Sequence, residues 1–257
     1  MATHISEVRG LNGDLARHAA AYQYAALAEE LKSLGADDWS RPTDCDRWDV
    51  HAIVAHLIGW MEALMSLKEF RHQFRSGFKR RHELGNILDA TNEVQVDDRR
   101  HLSPDELIAR FESLYPRFLK FRARLGGTVG RGLVIYDPVV VGPTNLAFYA
   151  NVIFTRDALM HRIDIARAVG RDFTCAEEDG WVMADVVKDW AKRSKADANV
   201  HLTDVGTFAA GSDGRASISG KAEAFARVMT KRAEPDVLDL NGDPTAAIAW
   251  LKVGCPF

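Results

Sequence analysis

Phe154-Thr155-Arg156-Asp157-Ala158-Leu159-Met160-His161-Arg162-Ile163-Asp164-Ile165-Ala166-Arg167-Ala168-Val169-Gly170-Arg171 is the stretch from which the rest of the chain is read. Ile153, Leu159, Met160, Ile163, Ala166 and Val169 recur at helical spacing. No Gly or Pro interrupts them, and Gly170 follows the last apolar position, so the pattern predicts an amphipathic helix with a glycine stop. Asp157 and His161 then stand one turn apart on one face. At that spacing a carboxylate oxygen and an imidazole nitrogen can reach one divalent cation. Asp164, a turn further on, is near enough to hold a ring N–H or to pair with Arg162 or Arg167. The plainer alternative is a salt-bridged helix face with a solvated histidine.

A matching segment lies a hundred residues upstream. From Asp49, a candidate N-cap, Val50, Ile53, Val54, Leu57, Ile58, Met61, Leu64 and Met65 form a broad apolar face. His56 falls inside that face. Burying an imidazole there without a partner costs about 1–3 kcal/mol, so it must hydrogen-bond or ligate something. His51 is five residues earlier and points elsewhere, while His72, His82, His101 and His201 sit in polar or strand contexts and are expected to be exposed.

Composition bounds the function classes. The chain has 257 residues, 47% of them apolar, which is enough for one large domain or two small ones. Its formal charge of −3, with both signs interspersed, offers no footprint for nucleic acid and points to a small-molecule partner. No run approaches a membrane span and the polar start is not a signal peptide, so no membrane partner and a cytoplasmic location are expected. Cys45, Cys175 and Cys255 are far apart and odd in number, which suits reduced thiols better than a disulfide framework or a thiolate zinc site.

Other helices are predicted at 15–34, ending at Gly35, and from Ser103-Pro104 to Gly126-Gly127, with Pro116 as a kink. Trp39 to Trp48 reads as a packed loop anchored by two indoles, and 71–100 as a helical continuation followed by a loop. Residues 128–143 read as a long extended connection. Four amphipathic helices imply a bundle, in which metal sites are built from facing side chains. Beyond Cys175 the pattern changes to a helix at 176–193, strands at 199–203 and 215–219, a helix at 221–230, a strand at 237–240 and a helix opened by Asp243-Pro244. The expected fold is therefore multi-domain, an all-α four-helix bundle followed by a small α+β domain.

With both segments in view, the chain resembles the maleylpyruvate isomerase N-terminal family of DinB-like metal-binding four-helix bundles. The resemblance rests on Trp39, Pro42-Thr43-Asp44-Cys45, Trp48-Asp49-Val50 leading to His56-Leu57, and then Arg156-Asp157 with Met160 to Ala168 and Gly170-Arg171. It covers residues 10–172. Residues 176–257, with Ser219-Gly220, Lys231-Arg232 and Gly242-Asp243-Pro244, look like the small sterol-carrier-like domain that often follows. The resemblance implies a divalent metal, usually zinc with nickel or iron as alternatives, held by His56, Asp157 and His161. The characterised isomerase has glutamate where this chain has Asp157. The resemblance also implies a low-molecular-weight thiol such as mycothiol as cosubstrate, and a homodimer is compatible with it.

Two imidazoles and one carboxylate leave a tetrahedral ion an open position, the pattern of catalytic sites, where an entering thiol would be deprotonated. The expected function is a metal-dependent enzyme, a thiol-dependent isomerase or S-transferase, that adds or transfers such a thiol onto a small electrophile. Isomerisation of an unsaturated dicarboxylate is one case. Arg232 or Arg156 could supply a cation to an acidic substrate, the alternative for both being a surface arginine. The competing function is a non-enzymatic small-molecule or lipid carrier or sensor, with the α+β domain enclosing an apolar ligand and the bundle as scaffold.

Overall fold

Helix α2, Val50–Met65, forms where the apolar face begins, and Asp49 caps it by accepting a hydrogen bond from the Ala52 amide at 2.8 Å. In this computed structural model residues 2–137 and 142–257 are described. The chain is mostly helical with a small mixed sheet. It divides into two compact units, one of Tyr24–Ala150 with Asp164–Arg171, the other of Met1–Gln23, Asn151–Ile163 and Asp172–Phe257.

The first unit holds the C-terminal part of α1 (Gly13–Lys32), then α2, α3 (Leu67–Arg80), α4 (Ile87–Arg99) and α5 (Pro104–Leu125). Ser103 and Glu106 close a reciprocal capping box at the start of α5, which runs on through Pro116. The core is apolar on α2, where Ile53, Val54, Ile58 and Met61 are fully buried. It is aromatic between α1 and α5, where Tyr24 lies 6.1 Å from Phe111 and 5.5 Å from Phe118, ring to ring.

The expectation of a loop before Arg100 is corrected by α4. Its buried positions include Thr91, Gln95 and Arg99, so apolar periodicity could not show it. Inside the unit Thr91 donates to the Ile87 carbonyl at 2.8 Å, Gln95 to Gln73 at 2.9 Å and Gln73 to the Gly59 carbonyl at 3.0 Å, and Arg99 pairs with Glu62 and Glu69. Asn86 starts the helix by accepting from the Asp89 amide at 2.9 Å. The stretch from Thr128 is only partly extended, because a short helix, α6 (Thr128–Gly132), precedes the antiparallel pair β2 (Val134–Asp137) and β3 (Gly142–Asn145). Residues 138–141 of that expected connection lie outside the described residues. A brief α7 (Leu146–Phe148) and a π-helical turn, Tyr149–Ile153, lead into α8, Phe154–Ala168. Gly170, at φ +70°, ends α8 with the paired bonds Arg171 N–H to Ala166 C=O (2.8 Å) and Gly170 N–H to Arg167 C=O (3.0 Å).

In the second unit α9 (Glu177–Ser194), α10 (Ala222–Met229) and α11 (Pro244–Leu251) accompany a five-stranded sheet. Taking β1 as Thr3–His4, which precedes β2 in the chain, β4 as Ala198–Leu202, β5 as Gly206–Ala210, β6 as Ala216–Gly220 and β7 as Asp239–Gly242, the order is β1-β5-β4-β6-β7. β4 and β6 run parallel, β5 and β7 antiparallel to their partners, and β1 parallel to β5. Along β4, Ala198, Val200 and Leu202 are buried while Asn199 and His201 face out, the two-residue alternation that marked it in the sequence. β5 was not foreseen, and the last strand starts two residues later than expected because Pro235 opens a 3₁₀ turn, Pro235–Val237. Asp243 caps α11 through the Ala246 amide at 3.0 Å, with Pro244 at the first helical position, as read from the sequence. Among the described residues no helix is long and apolar enough to cross a membrane.

Candidate metal centre

Helix α8 carries Asp157 and His161 one turn apart, and the imidazole Nε2 lies 3.3 Å from the Asp157 carboxylate. His161 is 3% exposed, whereas the Asp157 side chain keeps 22% of its surface open, so the pair has a wet side and a dry side. On α2, His56 is 3% exposed and sits against the Trp48 indole, ring centroids 4.7 Å apart. The buried imidazole required by its sequence context is therefore present.

Two groups among the described residues have ligand atoms within 4.8 Å of one another and could hold a metal ion. One is His56, Asp157 and His161, the other Cys45, His161 and Asp164. The first has the donor chemistry of a borderline divalent ion, two neutral nitrogens and one anionic oxygen.

The loop before α2 is a built structure. Thr43 donates from its amide and its hydroxyl to the Trp48 carbonyl (3.1 and 2.7 Å), and the Trp48 amide donates to the Cys45 carbonyl (2.7 Å). Asp44 pairs with Arg167 at 2.9 Å, and the Trp48 ring nitrogen donates to Glu93 at 2.9 Å. The indole that touches His56 is thus held at its other end. Beside it opens a cleft of about 290 Å³, lined by groups of both signs, among them Asp46, Arg47, Asp49 and Arg100. His51 also faces this cleft and is engaged by the Leu102 carbonyl at 2.8 Å, in line with its exclusion as a ligand. His72, His82, His101 and His201 are exposed as expected.

Arg156, the neighbour of Asp157, corrects the expectation of a surface arginine. It is 1% exposed and donates to Asp185 (2.7 Å), Asp189 (3.1 Å), the Pro256 carbonyl (2.8 Å) and the Cys255 sulfur (3.0 Å). Burial opposes its charge, but Cys255, Asp185 and Asp189 outweigh that and push its pKa up. Burial likewise works against an ionised Asp189, yet Arg156 and Arg193 hold its carboxyl below the usual range. Arg162 is buried too, bridging Gln23 and Asp179 at 2.8 Å each. These two buried ion pairs escaped sequence reasoning because their acids lie on α9, and only the i to i+4 partners on α8 were visible.

Arg232 is half-buried just beyond α10, where Lys231 takes φ +61°. That turn is anchored to α8 by Thr230, whose hydroxyl lies 3.6 Å from the Met160 sulfur. Arg232 belongs to neither metal-ligating group. Cys45, Cys175 and Cys255 form no disulfide among the described residues.

The model of the family described as the mycothiol maleylpyruvate isomerase N-terminal domain matches residues 20–166, more than half of the chain. A solved structure of a mycothiol-dependent maleylpyruvate isomerase has a TM-score of 0.60 at 14% identity, covering 94% of this chain and 97% of its own. A histidine-to-alanine mutant of such an enzyme gives 0.59 at 13% identity with the same coverage. At that identity the likeness speaks for the fold. No curated protein sequence matches.

Proposed function

Because the chain belongs to the mycothiol maleylpyruvate isomerase N-terminal domain family, we propose that it is a thiol-dependent isomerase, metal-assisted, that takes mycothiol or a similar small thiol as cosubstrate and a short unsaturated dicarboxylate of the maleylpyruvate type as substrate. The observation that carries this reading is the donor set His56, Asp157 and His161, with ligand atoms inside 4.8 Å. A divalent ion bound there supplies Lewis acidity, lowering the pKa of a coordinated thiol. Zinc suits two imidazoles and a carboxylate best.

The chain's own residues would do the rest. His56 and His161 would offer ring nitrogens from a buried setting, where little water competes for them. Trp48 walls His56 and fixes its ring plane. Asp157, with its partly open side chain, stands at the wet edge where a cosubstrate enters. The mixed-charge cleft beside Trp48 is suited to the polar body of such a thiol. Arg232 is the proposed cation for a substrate carboxylate, supported by the anchoring of its turn to α8 through Thr230. In this reading the helices around α2 form a DinB-like four-helix bundle, residues 10–172 are the metal-binding domain, and residues 176–257 are the sterol-carrier-like domain.

The test is metal analysis of untagged protein prepared without chelator, together with His56→Ala and His161→Ala, followed by an assay of thiol-dependent maleylpyruvate isomerisation. A single equivalent of zinc that disappears in both variants along with the activity is the expected result. Protein that carries no divalent ion, or activity that survives both substitutions, overturns the reading.

A further inference from the structure

His161 has an acid one turn before it and another one turn after it on α8, and the function proposed above uses only the first. The second, Asp164, is fully buried at 0% exposure. The Cys45 thiol donates to its carboxylate, Sγ to Oδ2, at 3.6 Å. Cys45 is placed there by the loop that Thr43 and Trp48 cross-link, and the Cys45 amide itself donates to the Thr43 hydroxyl at 3.2 Å. The thiol is therefore held in position by a preorganised loop and is only partly buried, so an ion could reach it.

Cys45, His161 and Asp164 each offer a ligand atom within 4.8 Å of the other two. Their chemistry differs from that of the His56 group. A thiolate and a carboxylate together cancel a double positive charge, and sulfur is the soft ligand that the His56 group lacks. Both groups draw on the same imidazole, so the two positions are linked through His161.

We propose that Cys45, His161 and Asp164 form a second metal position, alternative to the one with His56 and selective for thiophilic divalent ions. Binding there replaces the proton on Cys45 by the metal and releases that proton to solvent, leaving a sulfur–metal bond balanced by the Asp164 carboxylate. The consequence is discrimination among ions: a harder ion goes to the nitrogen-rich group, whereas a softer one is drawn to the sulfur and occupies His161. This goes beyond the proposed function, since it requires neither His56 nor Asp157.

Cobalt(II) tests it directly, because thiolate ligation adds a sulfur-to-metal charge-transfer band in the near ultraviolet that nitrogen and oxygen ligands do not produce. In His56→Ala, where the first group is broken, cobalt should still bind and show the band. In Cys45→Ser and Cys45→Ala, with circular dichroism confirming the fold, the band should be lost. Alkylation mapped by mass spectrometry on the unmutated protein gives a reading without substitutions, and cadmium should slow modification of Cys45 at least tenfold while leaving Cys175 and Cys255 unchanged. Cobalt bound to His56→Ala with no band, a band that persists without Cys45, or Cys45 alkylated equally fast with cadmium present, each overturns the second position. Loss of all cobalt from His56→Ala overturns it while leaving the His56 site standing. Full cobalt binding in His161→Ala refutes both.

Discussion

Arg156 and Asp157 are adjacent in sequence and have opposite surroundings. The carboxylate keeps 22% of its side-chain surface while the guanidinium is closed in by Asp185, Asp189, Cys255 and the Pro256 carbonyl. Removing one partner of such a buried ion pair leaves charges stranded, which costs about 3–5 kcal/mol. Arg156→Ala should therefore lower the unfolding free energy read from urea denaturation by about 3–5 kcal/mol, and Arg156→Lys should recover only part of it, since one ammonium cannot reproduce the fork. The same cluster sets an acid dependence. The Asp189 carboxyl titrates lower in the folded chain than in the unfolded one, so its stabilisation is present above the ordinary aspartate range and is lost as pH falls through the depressed value. Denaturation curves below about pH 4 should show a steeper loss of stability for the unmutated protein than for Asp189→Asn. Burial pushes the Cys255 thiol up to about 12, against the opposing pull of Arg156 and with the Asp189 charge adding to the rise. At neutral pH Cys255 should resist iodoacetamide until the chain is unfolded, as read by mass-mapped labelling.

Helix α2 illustrates what local sequence decides at the level of the element, since its cap and its apolar face are both written in residues 49–65. Asp49→Ala removes the bond to the Ala52 amide and should cost about 1 kcal/mol by thermal or chemical unfolding. Helices α3 and α4 were less legible, because their contact is made by small and polar groups. A Cβ placed on Gly77 would come within 2.4 Å of the Thr91 hydroxyl oxygen and 2.9 Å of its backbone. In an open helix Gly→Ala gains up to about 1 kcal/mol, but here overpacking, at about 1–3 kcal/mol, outweighs it. Gly77→Ala should thus be destabilising, and a melting temperature equal to or above that of the unmutated protein would contradict the close approach.

For the molecule as a whole, the sheet-bearing unit draws on three separated stretches, and its buried acids are answered from outside residues 172–257. Asp179 accepts from Gln23 and Arg162, and Asp185 from Arg156 and the Leu11 amide. A fragment of residues 176–257 alone should show no cooperative unfolding transition by circular dichroism, since Asp179 and Asp185 would lose all of these partners. Local sequence by itself determined the helical character, the caps at Asp49, Ser103 and Asp243, the glycine stop at Gly170, the alternation along β4, and the residue types able to ligate a metal. Each of these depends on neighbours within a few positions, and helical and strand periodicities report such neighbours directly. Only the tertiary structure decided that Arg156 and Arg162 are buried, that polar α4 is a core helix, that Thr3–His4 joins the sheet, and that Cys45 lies beside Asp164. These depend on partners 17 to 205 positions away in the chain, and a pattern that repeats every two or four residues carries no record of them.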